Sequence, residues 1–470
     1  MQLTGMVVYI ALFLIVAVTA NNVGYFWHIT DIHWDPKYDT KENNCIRGGR
    51  EVPVGRYGDH NCDAPWSLVE SAVHTVNSAL GDDVEFILWT GDGLTSNRGL
   101  DKMAALTNLT NLLSHKFTSH FVFPVLGHDD PEANNTSTQE PYQELASLWQ
   151  HWLPEEALVT FKTGGYYSIE RKQRKLRIVA LNTNLCTDSV EGVDPSGQWA
   201  WLEDLLSKSR KKNETVYLVG HIGPGVDERV GGLPRPHMSV QHSDKYLSLV
   251  RRYSDIITGQ FFGHLHSDTF RIVYSDEGVP VSRIFFAPSL TPRRSSSGYN
   301  NPGVRKYKIE IDTGQVLDYS QYFLDLTEAN QLHVQRTSSA DDEEETEIEG
   351  PEWTVLYNLT DYYGLRQSSA LQLHELAEAF NTPDGLPLFV RYLQANSVYR
   401  STGPTATHTA HSHYCALTRL EYSEYQNCLS TAAAPLAATT SAPTVPNSPA
   451  ATVAPTMLML FTTLTPLVYR

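Results

Sequence analysis

An aspartate and a histidine two positions apart, Asp31 and His33, stand just past an apolar, aromatic run, Val23-Gly24-Tyr25-Phe26-Trp27-His28-Ile29. Side chains at i and i+2 of an extended chain project to the same side. A carboxylate oxygen and an imidazole nitrogen therefore converge, as a divalent cation requires. Alone, the pair has a plainer reading, because an aspartate after a strand is commonly a turn residue. The pattern recurs, however. The run 84–89 is followed by Thr90-Gly91-Asp92-Gly93, and the run 121–126 by Gly127-His128-Asp129-Asp130. Val216–Val219 leads to Gly220-His221, and 255–262 leads to Gly263-His264-Leu265-His266. Separately, His264 and His266 could be surface histidines and Asp92 a helix cap. Together, the seven side chains of Asp31, His33, Asp92, His128, His221, His264 and His266 supply enough donors for two cations. A two-ion site needs a bridging ligand, and Asp92 suits that place because a carboxylate can offer one oxygen to each ion.

The elements that must position these side chains are legible as an alternation. Strands are expected at 23–29, 84–89, 121–126, 176–181, 216–219 and 255–262. Helices are expected at 66–80, within 99–116, at 141–152, at 197–210 and near 243–253. Alternating strands and helices indicate an α/β sheet covered on both faces, with ligands bound beyond the carboxyl ends of its strands. Later strand-like runs at 281–287, 304–311 and 316–323 lack intervening helices and indicate a mixed sheet or a second, packed one. Residues 325–350 read as an acidic linker, and 351–430, with a helical patch at 368–380, as a small C-terminal helical subdomain.

The chain has 470 residues and a net charge of −17. That balance argues against a nucleic-acid polymer as partner, since a phosphate backbone needs clustered Lys and Arg. The acidic run from Asp341 to Glu349 reads as a solvated segment. Residues 6–18 are apolar and end at Val18-Thr19-Ala20, so 1–20 is expected to be a secretory signal, with a short anchor helix as the alternative. Asn-x-Ser/Thr sites at Asn108, Asn134, Asn135, Asn213 and Asn358 agree with secretion. Of five cysteines, Cys45 is expected to pair with Cys62 and Cys415 with Cys428, each closing a short loop. Cys186 is left as a buried thiol. Residues 431–470 are Ala/Thr/Ser/Pro-rich and expected to be a disordered stalk. They end in the apolar stretch 457–468, which has the makings of a lipid-anchor signal or of an unanchored tail. His408, His411 and His413 could bind metal, but a flexible, solvated tract is the preferred reading.

Several longer stretches resemble one family. The order Asp31-x-His33, Gly91-Asp92, Gly127-His128-Asp129-Asp130, Gly220-His221 and Gly263-His264-x-His266 is similar to the calcineurin-like metallophosphoesterases. Phe26-Trp27-His28-Ile29-Thr30-Asp31-Ile32-His33, Leu181-Asn182-Thr183-Asn184-Leu185 and Asn300-Asn301-Pro302-Gly303 look like the acid sphingomyelinase-like phosphodiesterases, with a lean to their 3b type. The likeness runs from about residue 24 to about 430. No saposin-like domain precedes the catalytic region, which would span 21–324.

That resemblance implies a four-layer α/β/β/α sandwich, two zinc ions and hydrolysis of phosphoric esters by metal-activated water. Asp31, His33 and His266 would hold one ion; His221, His264 and the residue at 128 would hold the other; Asp92 would bridge. Two positions depart from the family pattern. Gly-His-Asp-Asp replaces Gly-Asn-His-Asp/Glu at 127–130. Either His128 stands for a ligating Asn and Asp129 for a catalytic His, or the motif has slipped by one residue. A second family histidine, four residues after the bridging Asp, is here Ser96, a poor acid at neutral pH. The expectation is a secreted or surface-anchored monomeric phosphodiesterase for nucleotide phosphates, choline-phosphate compounds or sphingomyelin-type lipids. The alternative is a metal-binding surface protein with weak or lost catalysis.

Overall fold

In the computed structural model, the N-terminal strand of the described chain sits in the middle of a sheet, not at its edge. The structure describes residues 22–439 except 41–44, 46–53, 97–98, 132–139, 231–232, 295–297, 340–349 and 401–406. The strands are β1 (Val23–Ile29), β2 (Val84–Trp89), β3 (Val122–Pro124), β4 (Tyr167–Arg171), β5 (Leu176–Ala180), β6 (Thr215–Val219), β7 (Ile257–Phe262), β8 (Thr269–Tyr274), β9 (Pro280–Phe286), β10 (Gly303–Glu310), β11 (Gln315–Phe323) and β12 (Thr354–Asn358). The helices are α1 (Trp66–Ser78), α2 (Lys102–Lys116), α3 (Glu140–Trp149), α4 (Glu155–Gly164), α5 (Gln198–Lys211), α6 (Val240–Arg252), α7 (Leu326–Ser339), α8 (Leu359–Tyr363), α9 (Ala370–Phe380), α10 (Leu386–Asn396), α11 (Thr407–Thr418) and α12 (Tyr422–Thr439).

Two six-stranded mixed sheets result, ordered β12-β11-β10-β1-β2-β3 and β4-β5-β6-β7-β9-β8. β1 pairs in parallel with β2 and antiparallel with β10. β2 and β3 are parallel, as are β5, β6 and β7. The carboxyl ends of the parallel strands in each sheet therefore lie on one side, and there the loops carrying Asp31, Asp92, His128, His221 and His264 begin. Between the sheets, the fully buried Phe26 of β1 meets Tyr217 of β6 and Phe261 of β7 at ring separations of 5.9 and 5.1 Å. Such tilted and edge-on contacts suit aromatic quadrupoles. On the outer face of the second sheet, Trp199, Leu202 and Leu206 of α5 join Tyr246, Leu247 and Val250 of α6 in a separate apolar cluster. On α1 the buried residues Leu68, Val69, Ala72, Val73 and Val76 form one helical face. This is the expected α/β/β/α layering.

The structure differs from the sequence reading mainly where segments are short or polar. β4 is a half-polar edge strand and α4 a ten-residue helix; neither has a long enough periodic pattern to stand out. α6 starts at Val240 because Ser239 caps it, accepting from the His242 N–H. The expected linker 325–350 contains helix α7: Leu326 and Ala329 are buried, and Asn330 bonds the Tyr57 N–H and the Gly58 carbonyl. The C-terminal region is not wholly helical either, since β12 extends the first sheet beside β11. The reading of His408, His411 and His413 as a flexible tract is corrected. They lie in α11, which packs against β8 and is tied to α12 by a disulfide. His413 is only 2% exposed. The stalk expected from 431 is corrected for its first residues, because α12 continues through the alanines to Thr439, in keeping with their high helix propensity.

Both expected disulfides form, Cys45–Cys62 and Cys415–Cys428, and Cys186 is a buried free thiol. The signal segment, the acidic run, Asn134, Asn135 and the apolar tail lie outside the described residues. Asn108 and Asn213 are exposed, whereas Asn358 is half-buried and accepts from Ser320.

Because Phe26 joins the two sheets, Phe26→Ala is expected to cost about 3–5 kcal/mol of stability. Urea unfolding monitored by circular dichroism would measure it.

Candidate metal centre

Seven side chains come together where the two sheets meet. The first sheet contributes Asp31 and His33 after β1, Asp92 after β2, and His128 after β3. The second contributes His221 after β6, with His264 and His266 after β7. Two ligand-like groups form, Asp31–His33–His266 and Asp92–His128–His221–His264, within each of which one donor atom per residue lies within 4.8 Å of the others. Asp92 stands between them. Its Oδ2 is 2.9 Å from His128 Nδ1, 3.1 Å from His221 Nε2 and 3.5 Å from His33 Nε2. Its Oδ1 is occupied by the Asp129 N–H at 2.8 Å. The sequence reading gave each ion its own oxygen of this carboxylate; here Oδ2 alone faces both groups.

The backbone is contorted to bring this about. Asp31, His33, Asp92, His264 and His266 all have positive φ, between 44° and 68°. Side chains rarely adopt that region, which costs of order 1–3 kcal/mol per residue. Glycines allow the neighbouring turns to close on them. A side chain on Gly127 would collide with Asp92, and one on Gly263 with Thr30 and Asp31.

A surrounding shell fixes the rings and carboxylates. His221 Nδ1 donates to the Thr90 carbonyl at 2.8 Å, and His266 Nδ1 to the Arg293 carbonyl at 2.9 Å, so each leaves Nε2 free. Asp31 accepts from Thr30 Oγ1 at 2.7 Å and from the His264 N–H at 2.9 Å. Thr183 Oγ1 accepts from the His221 and Ile222 N–H groups, and Asn184 donates to the Gly127 carbonyl. The Asn182–Asn184 stretch thus braces two ligand loops. The buried Asp130 accepts from the N–H groups of Asp92, Gly93 and Gly127. Burial and the nearby Asp92 charge raise its pKa to about 7. His28, deep in β1, is a core residue: burial and Arg305 lower it to about 3, and its Nε2 bonds Thr90 Oγ1.

The cluster fits a divalent cation at each group. His264 Nδ1 is a buried polar atom with no hydrogen-bond partner, which is uncommon and costly, and Asp92 Oδ2 faces imidazole nitrogens. Two pairs of imidazole nitrogens face one another, His33–His266 at 3.1 Å and His128–His221 at 3.2 Å. These spacings approach the edge of a tetrahedron with metal–nitrogen bonds of about 2.0–2.1 Å. The charge balance agrees. Burial works against a charged His221, yet Asp92 raises it to about 10, and Asp92 itself is held well below the usual carboxylate range. The carboxylates therefore demand positive charge beside them, and the nitrogen and oxygen donor set suits zinc-type ions.

A cavity of about 200 Å³ opens onto the groups. Ser96, Asp129, His237 and Arg229, Arg293 and Arg294 are among its lining residues. The Asp129 carboxylate lies 3.6 Å from His33 Nδ1 and 3.9 Å from His128 Nε2. His128 is in the second ligand-like group, and Asp129 itself comes within 4.8 Å of His33 and Asp92 in a third. The sequence reading missed His237 and the arginines. His237 follows a proline in a loop with no repeated pattern, and only contact with His264 marks it.

Comparison with known proteins agrees with the geometry. The family model "Calcineurin-like phosphoesterase" matches residues 24–268, and "Acid sphingomyelin phosphodiesterase C-terminal region" matches 279–435. The chain is 33% identical over 430 residues to "Acid sphingomyelinase-like phosphodiesterase 3b" of Homo sapiens, covering 86% of this chain and 90% of that protein. It is 32% identical to "Cyclic GMP-AMP phosphodiesterase SMPDL3A" of Rattus norvegicus, covering 87% and 92%. It is also 32% identical to "Sphingomyelinase phosphodiesterase C" of Dictyostelium discoideum, covering 65% and 74%.

Stripping divalent metal with a chelator is expected to lower the thermal midpoint. Zinc restored at ~100 times its Kd should return about 2.7 kcal/mol. Scanning calorimetry would read both changes.

Proposed function

This chain belongs to the calcineurin-like phosphoesterase family, in its acid sphingomyelinase-like branch, and on that premise we propose that it is a secreted or surface-anchored binuclear zinc phosphodiesterase. The observation that carries this reading is Asp92 Oδ2, which faces imidazoles of both ligand-like groups. Asp31, His33 and His266 would hold one ion, His128, His221 and His264 the other, with Asp92 between them. When bound, such ions lower the pKa of a water and withdraw charge from phosphoryl oxygens.

The remaining work falls to the chain itself. Thr90 and the Arg293 carbonyl hold the ring tautomers that leave Nε2 free on His221 and His266. Arg293, partly exposed on the cavity wall and tied to Asp63, is placed to meet an anionic oxygen of the substrate. The geometry favours His128 as a ligand and Asp129 as the replacement for a catalytic histidine over the one-residue slip. Proximity to His33 and His128 moderates the repulsion that Asp129 would exert on a phosphate.

The substrate class is a small phosphoester or phospholipid: nucleotide phosphates, choline-phosphate compounds or sphingomyelin-type lipids. The relatives named above as cyclic GMP-AMP phosphodiesterase and sphingomyelinase support testing both ends of that range. We place the protein outside the cell as a monomer, with residues 1–20 as its signal and the C-terminal tail as a lipid-anchor signal at the membrane surface. The exposed sites Asn108 and Asn213 and the two disulfides support this placement. No helix among the described residues is long and apolar enough to cross a membrane.

One observation favours a second reading, a metal-binding surface protein with weak or lost catalysis. Ser96 and Asp129 line the cavity where the resemblance leads one to expect histidines. General acid catalysis contributes about 10²–10⁴-fold, so turnover without it is slow. Metal content and hydrolysis of an artificial phosphodiester, measured on purified protein, separate the two. Two zinc per chain without hydrolysis selects the second reading, and hydrolysis selects the first.

Asp92→Asn is expected to lower zinc occupancy and abolish hydrolysis while circular dichroism stays unchanged. The double change His128→Asn with Asp129→His should raise the rate by about tenfold or more if a histidine at 129 restores proton transfer. Initial-rate assays on the artificial diester would measure it.

A further inference from the structure

A ligating imidazole gives one nitrogen lone pair to the cation and keeps its proton on the other nitrogen, where it needs an acceptor. His221 and His266 solve this with backbone carbonyls, through Nδ1 in each case. His264 is arranged the other way round. Its Nδ1 is buried without a partner, while its Nε2 contacts Nδ1 of His237. The His264 ring lies between those of His128 and His221, at 4.9 and 5.1 Å, and that of His237, at 4.4 Å.

We propose that His237 is a positioning residue: its Nδ1 accepts the Nε2 proton of His264 and so turns His264 Nδ1 toward the second ion. The inference rests on the reading of His264 as a ligand, and it assigns the nitrogen that ligates. An exposed loop residue can do this because the next residues are pinned. Met238 is fully buried, the Ser239 N–H donates to the Cys186 carbonyl at 2.8 Å, and the Ser239 side chain caps α6. The His237 ring is thus held in place although it is exposed. The outer nitrogens of His33 and His128 face the Asp129 carboxylate and those of His221 and His266 face backbone carbonyls, whereas His264 turns its outer nitrogen to an imidazole of the loop between His221 and α6.

The test is metal titration of the full chain by calorimetry, with zinc, and by the visible absorption of bound cobalt. His237→Ala should weaken the second ion by about 10–100-fold, leave the first unchanged and alter the cobalt bands. His237→Asn places Oδ1 where Nδ1 stood, keeps the acceptor, and should hold the second ion within a few-fold of the parent. His264→Ala should lose the second ion altogether. Thermal midpoints in chelator, equal for parent and the His237 variants, would exclude a folding effect. Parent-like binding of both ions by His237→Ala overturns the inference while leaving the ligand reading intact. Equal weakening by Ala and Asn overturns the acceptor role. Two ions retained in His264→Ala would sink the ligand reading itself, and the inference with it.

Discussion

A carboxylate buried at the junction of two sheets, with one oxygen turned to imidazoles, is the constraint on which the site depends. Asp92 cannot be solvated there, and a buried charge without compensation is strongly destabilising. Its Oδ1 is satisfied by a backbone N–H, while Oδ2 is left facing imidazoles from three separate loops. Positive charge must therefore gather around it, as protons on the rings or as cations between them. The positive-φ backbone at Asp31, His33, Asp92, His264 and His266 is tolerable for the same reason. Surrounding structure over-determines each residue, and the strain is confined to the place where donors must converge.

The fold supplies this convergence through parallel strands. β1 to β3 deliver three loops from one sheet and β6 and β7 deliver two from the other, so candidate ligands far apart in sequence arrive at one edge. The C-terminal region supports the cavity from behind. Asn396, at the end of α10, accepts from Arg294 through its carbonyl and donates to Glu228. Glu228 also accepts from Tyr392 and forms a fully buried ion pair with Arg271. A second buried pair, Arg305 with Asp268, anchors the segment just past His266 to β10. Breaking such a pair by removing one partner costs several kcal/mol. The helical region is thus mechanically continuous with the catalytic loops and with the first sheet, which it extends through β12.

The cavity wall carries charges of both signs. Three arginines, Asp63, Asp129 and Asp227 line it together with Ser96 and His237. Arg229 is held bidentately by Asp227, and Arg293 donates once to Asp63. Such pairing fixes the guanidinium planes before any anion arrives, which lowers the ordering cost of binding one.

The sequence by itself determined the candidate ligand types, their order and the alternation that positions them, because these depend on local pattern. Apolar runs ending in Gly and then Asp or His were legible at β2, β3, β6 and β7, and Asp-x-His after β1, without any tertiary information. The helical faces of α1 and α5 and the disulfide pairings were legible for the same reason. Tertiary structure alone decided which oxygen of Asp92 faces both groups, since that depends on the Asp129 N–H folding back onto it. It alone brought His237 against His264 and the arginines into the cavity, because neither follows from spacing along the chain. Likewise His413, polar and beside other histidines, reads as solvated until α11 is packed on β8. Contacts between residues distant in sequence carry no periodic signal, and they govern proton placement, burial and charge at this site.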